Sequence, residues 1–199
     1  MNCEAITAEQ HPATQYSQAI NPAWLPFCNV SRSRYTEDAL EAEIRQGVEQ
    51  YVILGAELDT FAFRRKEMLE EVKVFEVDLQ STQQFKRGQL AALETLLESP
   101  YDPKVRSLFS WLGVTMYLSL KDVLETLRSI TQIAPKGSSV IFDYHTEVDV
   151  NLDEIRKELQ RMDESMLTTF DPSILAIELK KLGFDLHEDL EPADIQQKG

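Results

Sequence analysis

The chain has 199 residues, 43% hydrophobic and 27% charged, which is long enough and apolar enough for one globular domain with a core. Its net charge of −14 argues against binding to nucleic acid or to an anionic membrane, because both would repel it. No apolar run approaches the ~18 residues that cross a bilayer, and neither the two cysteines nor the three scattered histidines form a disulfide or metal-binding pattern. We therefore expect a cytoplasmic protein without a bound metal, a membrane segment or a nucleic-acid partner.

The first 30 residues differ in character from the rest. They contain three prolines and little hydrophobic periodicity, and they lack the apolar core of a signal peptide. The sequence predicts a loop-rich N-terminal arm over residues 1–30, with one short helix at residues 13–20. Residues 31–199 are then expected to form one folded domain.

A helix is predicted from Ser31 to Gly47, because apolar residues recur there on one face. Arg32 and Arg34 stand at its predicted start, where a cation is mildly unfavourable. On the residues alone, solvated arginines are the simpler interpretation. The alternative is a ligand carboxylate held by the planar guanidinium fork, which can donate two parallel hydrogen bonds.

Tyr51 to Leu54 is a short apolar run typical of a buried parallel strand, and Gly55 ends it. A helix is predicted after it, from Phe61 to Glu71. A strand that runs into a glycine turn and then a helix opens nucleotide-binding α/β folds, because the glycine lets a ligand approach the backbone. Ordinary strand-to-helix punctuation is the alternative, since Glu57 stands where many such loops have a second glycine.

A second strand is predicted from Lys73 to Val77, and Asp78 follows it directly. Asp78 lies about 20 residues beyond Gly55, the spacing at which an acidic residue binds ribose hydroxyls in dinucleotide-type folds. A carboxylate suits this role because it accepts hydrogen bonds from both hydroxyls of a vicinal diol. A solvated acid at a strand end is the alternative.

The remaining elements are predicted in chain order. They are a helix at Ser81 to Glu98, a strand at Val105 to Trp111, a helix capped by Ser119 and running through Ile133, a strand at Ser139 to Tyr144, a helix at Val150 to Glu164, a helix capped by Asp171 and ended by Gly183, and a strand at Asp185 to Leu190.

Four segments in order, ILGAELDTFAFRR, VFEVDLQSTQQFKR, FSWLGVTMYL and SSVIFDY, resemble the S-adenosylmethionine-dependent methyltransferases related to leucine carboxyl methyltransferase. The resemblance runs from about Arg32 to Ile195. It implies an α/β Rossmann-like class I methyltransferase fold, a mostly parallel sheet with helices on both faces. The inferred strand order is 73–77, 51–54, 105–111 and 139–144, with residues 185–190 beyond.

The same resemblance implies that S-adenosyl-L-methionine is the cofactor. The cofactor-binding residues that it suggests are Arg32, Gly55, Ala56, Asp59, Asp78, Leu79 and Ser110. Arg32 would pair with the cofactor carboxylate, with Arg34 as a substitute, and Asp59 would shape the loop or simply cap the next helix. No catalytic residue is assigned, although Tyr117 and Tyr144 are candidates to orient an acceptor.

The predicted function is methyl transfer to an oxygen, with the carboxylate of a small molecule or peptide as acceptor. Departures from the family pattern favour an alternative, a non-catalytic relative that binds the cofactor weakly or not at all. We find no strand between Gln80 and Pro103, no final antiparallel strand, and Leu112 where some relatives have glutamate. An NAD-dependent oxidoreductase is a third hypothesis, based on Gly55 and Asp78 alone.

The missing strands also bear on assembly. Without them, Lys73 to Val77 and Ser139 to Tyr144 are expected to be sheet edges, and exposed edges pair with other chains unless something covers them. The N-terminal arm or the strand at Asp185 to Leu190 could provide that cover. We favour a homodimer, because two-fold pairing is the commonest symmetry of oligomers.

Overall fold

A computed structural model describes residues 3–8, 24–56, 59–77, 96–146, 168–190 and 194 of the chain. The strands are β1 (Cys3–Ala8), β2 (Gln50–Leu54), β3 (Lys73–Val77), β4 (Ser107–Trp111), β5 (Ser139–Phe142) and β6 (Phe184–Leu190). The α-helices are α1 (Trp24–Arg45), α2 (Phe61–Arg64), α3 (Leu120–Ile133) and α4 (Pro172–Leu182), with short 3₁₀ turns at Met68–Glu70 and Thr115–Tyr117.

The six strands form one sheet in the order β3-β2-β4-β5-β1-β6, and every neighbouring pair is parallel. Because the strands are parallel, their carboxyl ends share one edge of the sheet, which we call the carboxyl edge. The order reverses between β2 and β4, since the chain leaves β2 for β3 on one side and later returns to β4 on the other. Such a reversal is where α/β sheets usually bind ligands.

Helices cover both faces of the sheet, and each face has its own core. The core on the α1 side contains Leu40 of α1 together with Tyr51, Ile53, Phe61, Leu108 and Ile141. The core on the α3 side contains Leu127 and Ile130 of α3, Leu175 and Leu179 of α4, and Phe109, Trp111, Val140, Phe142 and Tyr144. Burial on both faces explains why β2, β4 and β5 read as near-continuous apolar runs. The predicted α/β Rossmann-like fold is confirmed.

The predicted caps are also confirmed. Ser119 Oγ accepts a hydrogen bond from the backbone N–H of Asp122 at 3.2 Å, at the start of α3. Asp171 Oδ1 accepts from the backbone N–H groups of Ser173 and Ile174 at the start of α4. Gly183 ends α4 with φ of +94°, a left-handed conformation that glycine adopts without steric cost.

The N-terminal region differs from the expected loop-rich arm. Residues Cys3–Ala8 form β1, which pairs with β5 on one side and β6 on the other, and α1 begins at Trp24 rather than at Ser31. Its sequence, CEAITA, has neither the continuous apolar run nor the strict alternation by which the other strands were predicted, so its backbone pairing reveals it. The boundary at residue 30 between arm and domain stays a prediction.

Two further expectations are corrected. The helix expected from Phe61 to Glu71 is a single turn, α2, followed by the 3₁₀ turn at Met68–Glu70. The strand expected as an edge at Ser139 to Tyr144 is not one, because β4 and β1 flank β5. The inferred strand order is otherwise confirmed, with β1 inserted before β6.

Some predictions lie outside the described residues. These are the helices predicted at residues 13–20 and 150–164 and most of the helix predicted at residues 81–98. The last three residues of that helix, 96–98, are described and are helical. Most of the interval between Gln80 and Pro103, in which no strand was predicted, also lies outside the described residues. Among the helices that are described, none has the length and apolar character needed to cross a membrane.

Candidate functional site

The glycine turn at the end of β2 lies at the carboxyl edge, beside the reversal of strand order. Gly55 has φ of +73°, and its backbone N–H donates to the carbonyl oxygen of Val77 at the end of β3, at 2.8 Å. Ala56 is buried, and its carbonyl oxygen accepts from the backbone N–H of Asp59 at 2.6 Å. Backbone hydrogen bonds therefore attach Gly55 to the end of β3 and join Ala56 to Asp59.

Asp59 lies at the start of the helix that follows the turn. Its Oδ1 accepts a hydrogen bond from the backbone N–H of Phe61, the first residue of α2, at 2.6 Å. Phe61 is buried against Tyr51, with ring centroids 4.9 Å apart in an edge-to-face arrangement. Asp59 therefore satisfies the first backbone N–H of α2, although the N-cap position itself is held by Thr60, which makes no side-chain cap bond. The role of Asp59 toward a cofactor stays a prediction.

Helix α1 brings Arg32 to the same edge of the sheet. Near the end of α1, Glu43 accepts a hydrogen bond from the hydroxyl of Ser139, the first residue of β5. Three turns earlier, Arg32 contacts Asp143, which follows the last residue of β5. Helix α1 therefore runs antiparallel to β5, and its N-terminal half lies at the carboxyl edge.

The Arg32 guanidinium forms a hydrogen-bonded ion pair with Asp143, from Nη1 to Oδ2. The Asp143 side chain is 3% exposed and the Arg32 side chain 17% exposed. The second carboxylate oxygen of Asp143, Oδ1, accepts from the backbone N–H of Gly113 at 2.7 Å. Asp143 thus joins α1 to the loop after β4, and we call these three residues the Arg32 cradle.

The loop that supplies Gly113 is held from a second direction. Thr115 Oγ1 donates to the backbone carbonyl oxygen of Asp143 at 2.5 Å. The segment from Leu112 to Leu118 is therefore tied to the end of β5 through both the side chain and the backbone of Asp143. This gives the LGVTMYL motif a structural role beyond apolar packing.

Arg34 lies in a different environment. Its side chain is 69% exposed, and its Nε donates to both carboxylate oxygens of Asp38, one helical turn later, at 2.9 Å. It faces solvent on α1 while Arg32 faces the sheet. The two arginines that were alternatives in the sequence are thus separated by the fold.

Ser110 is buried near the end of β4, on the α1 side of the sheet. Its hydroxyl lies 2.9 Å from the hydroxyl of Tyr51, and the two share a hydrogen bond. Burial raises the pKa of Tyr51 well above its ordinary value, and the bond to Ser110 opposes that shift only in part. The contact found for Ser110 is therefore a buried tyrosine, and its role as a cofactor contact stays a prediction.

A network of ion pairs fixes α2 against α1. Glu37 of α1 forms an ion pair with Arg64 at 2.7 Å and accepts a hydrogen bond from Arg65 at 2.8 Å, and Glu41 accepts from Arg65 as well. Arg65 also pairs with Glu67 at 2.6 Å. The hydrogen bonds that Arg65 donates to Glu67, Glu37 and Glu41 raise the pKa of Arg65, so this guanidinium stays charged. Because α2 follows the glycine turn, the network also constrains that turn.

Two tyrosines connect the carboxyl edge to β6. Tyr144 is buried, and its hydroxyl donates to both carboxylate oxygens of Asp189, at 2.9 and 2.8 Å. Tyr35 of α1 donates to Glu188 at 2.6 Å, and burial, followed by this bond, raises the pKa of Tyr35. Tyr117, the other candidate for orienting an acceptor, lies half-buried in a 3₁₀ turn.

The structure brings Arg32 and Gly55 to one edge of the sheet, with Ser110 beneath it. Asp78 and Leu79 lie outside the described residues. Sequence reasoning did not assign Asp143 or Gly113 to the site. One signal was available for Asp143, because an acidic residue directly after a buried parallel strand falls at the carboxyl edge. No group of histidine, cysteine and acidic side chains within the described ranges could hold a metal ion.

Comparison with known proteins gives a family match. A model of the leucine carboxyl methyltransferase family matches residues 3–99. A Bacillus subtilis (strain 168) protein named "Putative S-adenosyl-L-methionine-dependent methyltransferase YktD" is 30% identical over an alignment 193 residues long, in which 83% of this chain is covered.

Two other relatives carry the same description without the suffix YktD. They come from Mycolicibacterium vanbaalenii, at 26% identity over 133 residues and 57% of this chain, and from Parafrankia sp. (strain EAN1pec), at 28% over 132 residues and 56% of this chain. The chain spans 64% of the length of the Bacillus protein, and 45% and 42% of the other two. These matches confirm the resemblance found in the sequence: the chain is similar to the leucine carboxyl methyltransferase family over residues 3–99, and to relatives described as putative S-adenosyl-L-methionine-dependent methyltransferases.

Proposed function

We propose that this protein transfers a methyl group from S-adenosyl-L-methionine to a carboxylate oxygen. The observation that carries the proposal is the position of Arg32, a largely buried guanidinium at the carboxyl edge of a parallel sheet. Among the described residues, only its Nη1 has a hydrogen-bond partner, so Nε and Nη2 can donate to a ligand. Two donors in one plane match a carboxylate, and the cofactor carries one at its methionine end.

The residues proposed to bind the cofactor have the hydrogen-bonding groups that it requires. Arg32 would hold the carboxylate, and the main chain of Gly55 would lie against the nucleoside because no side chain intervenes. Asp78 would accept hydrogen bonds from the ribose hydroxyls, as its spacing from Gly55 predicts. Ala56, Asp59, Leu79 and Ser110 complete the proposed set.

The bound cofactor supplies an electrophilic methyl group: a bond forms from the acceptor oxygen to the methyl carbon while the carbon–sulfur bond breaks, and its electron pair stays on sulfur. The chain's contribution is then to bind both molecules, align them and exclude water. A carboxylate is already ionised at neutral pH, so the site needs no general base to remove a proton from it. Tyr144 and Tyr117 are the proposed groups for orienting the acceptor.

The acceptor class rests on the description of the matching family, whose name specifies a carboxyl group. We propose a carboxylate on a small molecule or a peptide. The names of the relatives favour methyl transfer over the oxidoreductase hypothesis. The non-catalytic alternative remains the competing outcome of the experiment below.

Isothermal titration of the purified protein with S-adenosylhomocysteine, and separately with NAD, tests the cofactor. We expect S-adenosylhomocysteine to bind and NAD not to bind. Asp78→Ala should weaken the binding of S-adenosylhomocysteine by ~1.5–3 kcal/mol, because a charge-assisted hydrogen bond is lost. Wild-type protein that binds neither ligand would support the non-catalytic alternative.

The acceptor is tested with S-adenosylmethionine labelled in the methyl group and a panel of carboxylic acids and peptides with free C-terminal carboxylates. A methyl ester releases labelled methanol when the product is treated with base, whereas a methyl ether or amine does not. We expect base-labile label. A base-stable label would show that the protein transfers methyl groups but that the acceptor is not a carboxylate.

A further inference from the structure

We propose that Asp143, together with the backbone of Gly113, is a positioning residue that aims the Arg32 guanidinium at the carboxylate of the cofactor. The inference rests on the proposed function, because it assigns Arg32 to that carboxylate. No role was predicted for Asp143 from the sequence. The juxtaposition that carries it is a buried carboxylate held between a helix guanidinium and a loop N–H at the carboxyl edge.

Both carboxylate oxygens of Asp143 already have a partner within the protein, and the side chain is buried. Its Oδ2 accepts from Arg32 and its Oδ1 from the backbone N–H of Gly113, while its backbone carbonyl accepts from Thr115. At 3% exposure, the carboxylate has almost no contact with water. A buried charge in this state needs its partners, and in return it fixes their directions.

Arg32 is engaged on one side only. Its Nη1 is held by Asp143, which orients the guanidinium plane, and Nε and Nη2 have no hydrogen-bond partner among the described residues. An arginine side chain has four rotatable bonds, so a single counterion that fixes the head removes much of the entropy that ligand binding would otherwise remove. The cradle therefore prepares the free half of the guanidinium for an anionic ligand.

Gly113 contributes through the absence of a side chain. A Cβ atom at this position would lie 2.8 Å from Nη2 of Arg32, closer than real Cβ contacts allow. Its φ of +72° is also one that glycine adopts easily. The glycine thus lets the guanidinium lie directly against the loop while the N–H of the same residue holds Asp143.

A purely structural ion pair is the competing explanation, in which Asp143 and Arg32 only fasten α1 to the sheet. The two explanations differ in which ligands are affected. A structural pair supports the whole site, so its loss should weaken every nucleoside ligand alike. A positioning residue should affect only ligands that carry the carboxylate.

The experiment compares S-adenosylhomocysteine with 5′-methylthioadenosine, which keeps the adenosine and the thioether but has no amino-acid carboxylate. Binding of both is measured by titration calorimetry for wild type, Asp143→Asn, Arg32→Ala and the double variant. Asp38→Asn is the matched control, since Asp38 pairs with the exposed Arg34 on the same helix. Denaturant unfolding of each variant separates folding from binding.

We expect Asp143→Asn to lower the affinity for S-adenosylhomocysteine at least about tenfold, which is the effect of losing one charge-assisted contact. The affinity for 5′-methylthioadenosine should change less than about twofold. The same substitution should add nothing in the Arg32→Ala background, because Asp143 acts through Arg32. Asp38→Asn should bind both ligands as wild type does. If Asp143→Asn does not fold, Asp143→Glu keeps the charge, displaces the carboxylate by one methylene group, and should show the same selective loss.

Three results would overturn the proposal. They are unchanged affinity of Asp143→Asn for S-adenosylhomocysteine, equal weakening of both ligands, and a further loss when Asp143→Asn is combined with Arg32→Ala. Equal binding of the two ligands by wild-type protein would also overturn it, but the assignment of the cofactor would stand. Wild-type protein that binds neither would instead reject the proposed function, and the positioning role with it.

Discussion

The environment of Arg32 combines a buried counterion with two donors, Nε and Nη2, that no described residue accepts from. Because α1 begins at Trp24, Arg32 lies in the third turn of the helix and not at its N-terminus. The unfavourable interaction of a cation with the positive end of the helix dipole fades within the first turn, so it does not apply here. The orientation of the Arg32 guanidinium is set by its ion pair with Asp143, a residue far away in the chain.

Substitution of Gly113 by alanine should weaken the binding of S-adenosylhomocysteine, because the new methyl group would displace the Arg32 guanidinium. It should also cost about 1–2 kcal/mol of unfolding free energy, since φ is positive there. Gly47→Ala is the matched control, because Gly47 has φ of +94° and an added methyl group there would meet no atom within 4 Å. Urea unfolding and calorimetry should show similar destabilisation in both variants and weaker binding in Gly113→Ala alone. Equal binding by the two variants would contradict the contact.

The buried hydroxyl of Tyr51 makes stability depend on alkaline pH. Burial raises the pKa of Tyr51 in the folded state, whereas the unfolded residue ionises near pH 10. Above about pH 10 the unfolded chain therefore releases a proton that the folded chain retains, and stability falls as pH rises toward the raised value. Tyr51→Phe should lessen this fall.

The measurement is urea unfolding of wild type and Tyr51→Phe at pH 8 and pH 11. At pH 8 the variant should be less stable by about 1 kcal/mol, because Ser110 loses its partner. The loss between the two pH values should be smaller in the variant than in wild type. A parallel pH dependence of the two proteins would show that Tyr51 ionises in the folded state as it does when unfolded.

Helix α1 is the element that assembles the site. Its successive turns contact the end of β5 through Arg32, the carboxyl half of β6 through Tyr35, and α2 through Glu37 and Glu41. These partners come from separate parts of the sequence. The position of α1 therefore couples the glycine turn to the Arg32 cradle.

Arg65→Met should lower the free energy of unfolding by about 1–3 kcal/mol, because Glu37 is buried and loses one of its two cationic partners. Methionine retains most of the apolar stem, so the loss reports mainly the ion pairs. Arg34→Met, which removes an exposed pair on the same helix, should change stability by less than about 0.5 kcal/mol. Equal effects in urea unfolding would show that the network contributes no more than a surface pair.

The cap of α4 gives a second test at the level of one element. Asp171→Ala should cost about 1 kcal/mol, since two backbone N–H groups lose their acceptor, whereas Asp171→Asn should cost only a few tenths. The midpoint of urea unfolding should shift without a change in slope. If asparagine destabilises as much as alanine, the charge of Asp171 and not its cap would explain the effect.

At the scale of the whole molecule, the edges of the described sheet are β3 and β6. We propose that the protein forms a homodimer through an exposed strand edge, because such edges pair with other chains unless covered. Light scattering coupled to size exclusion should then give a mass of about twice 22.8 kDa. A single species at 22.8 kDa across micromolar concentrations would show that the chain covers its own edges.

The sequence by itself determined the elements whose signals are local. Buried strands such as β2 and β5 are short apolar runs, and the caps Ser119, Asp171 and Gly183 act on neighbouring residues. Motif order also pointed to the family, because the order of segments along the chain needs no structure to be recognised.

Only the tertiary structure decided the contacts between distant residues. Arg32 and Asp143 are 111 positions apart, and Tyr51 and Ser110 are 59 apart, so no local pattern pairs them. The strand β1 exists through backbone pairing with β5 and β6, and its own residues give little indication of it. Arg32 and Arg34 differ by two positions in sequence, and the rotation of two residues around a helix turns one toward the sheet and the other toward solvent.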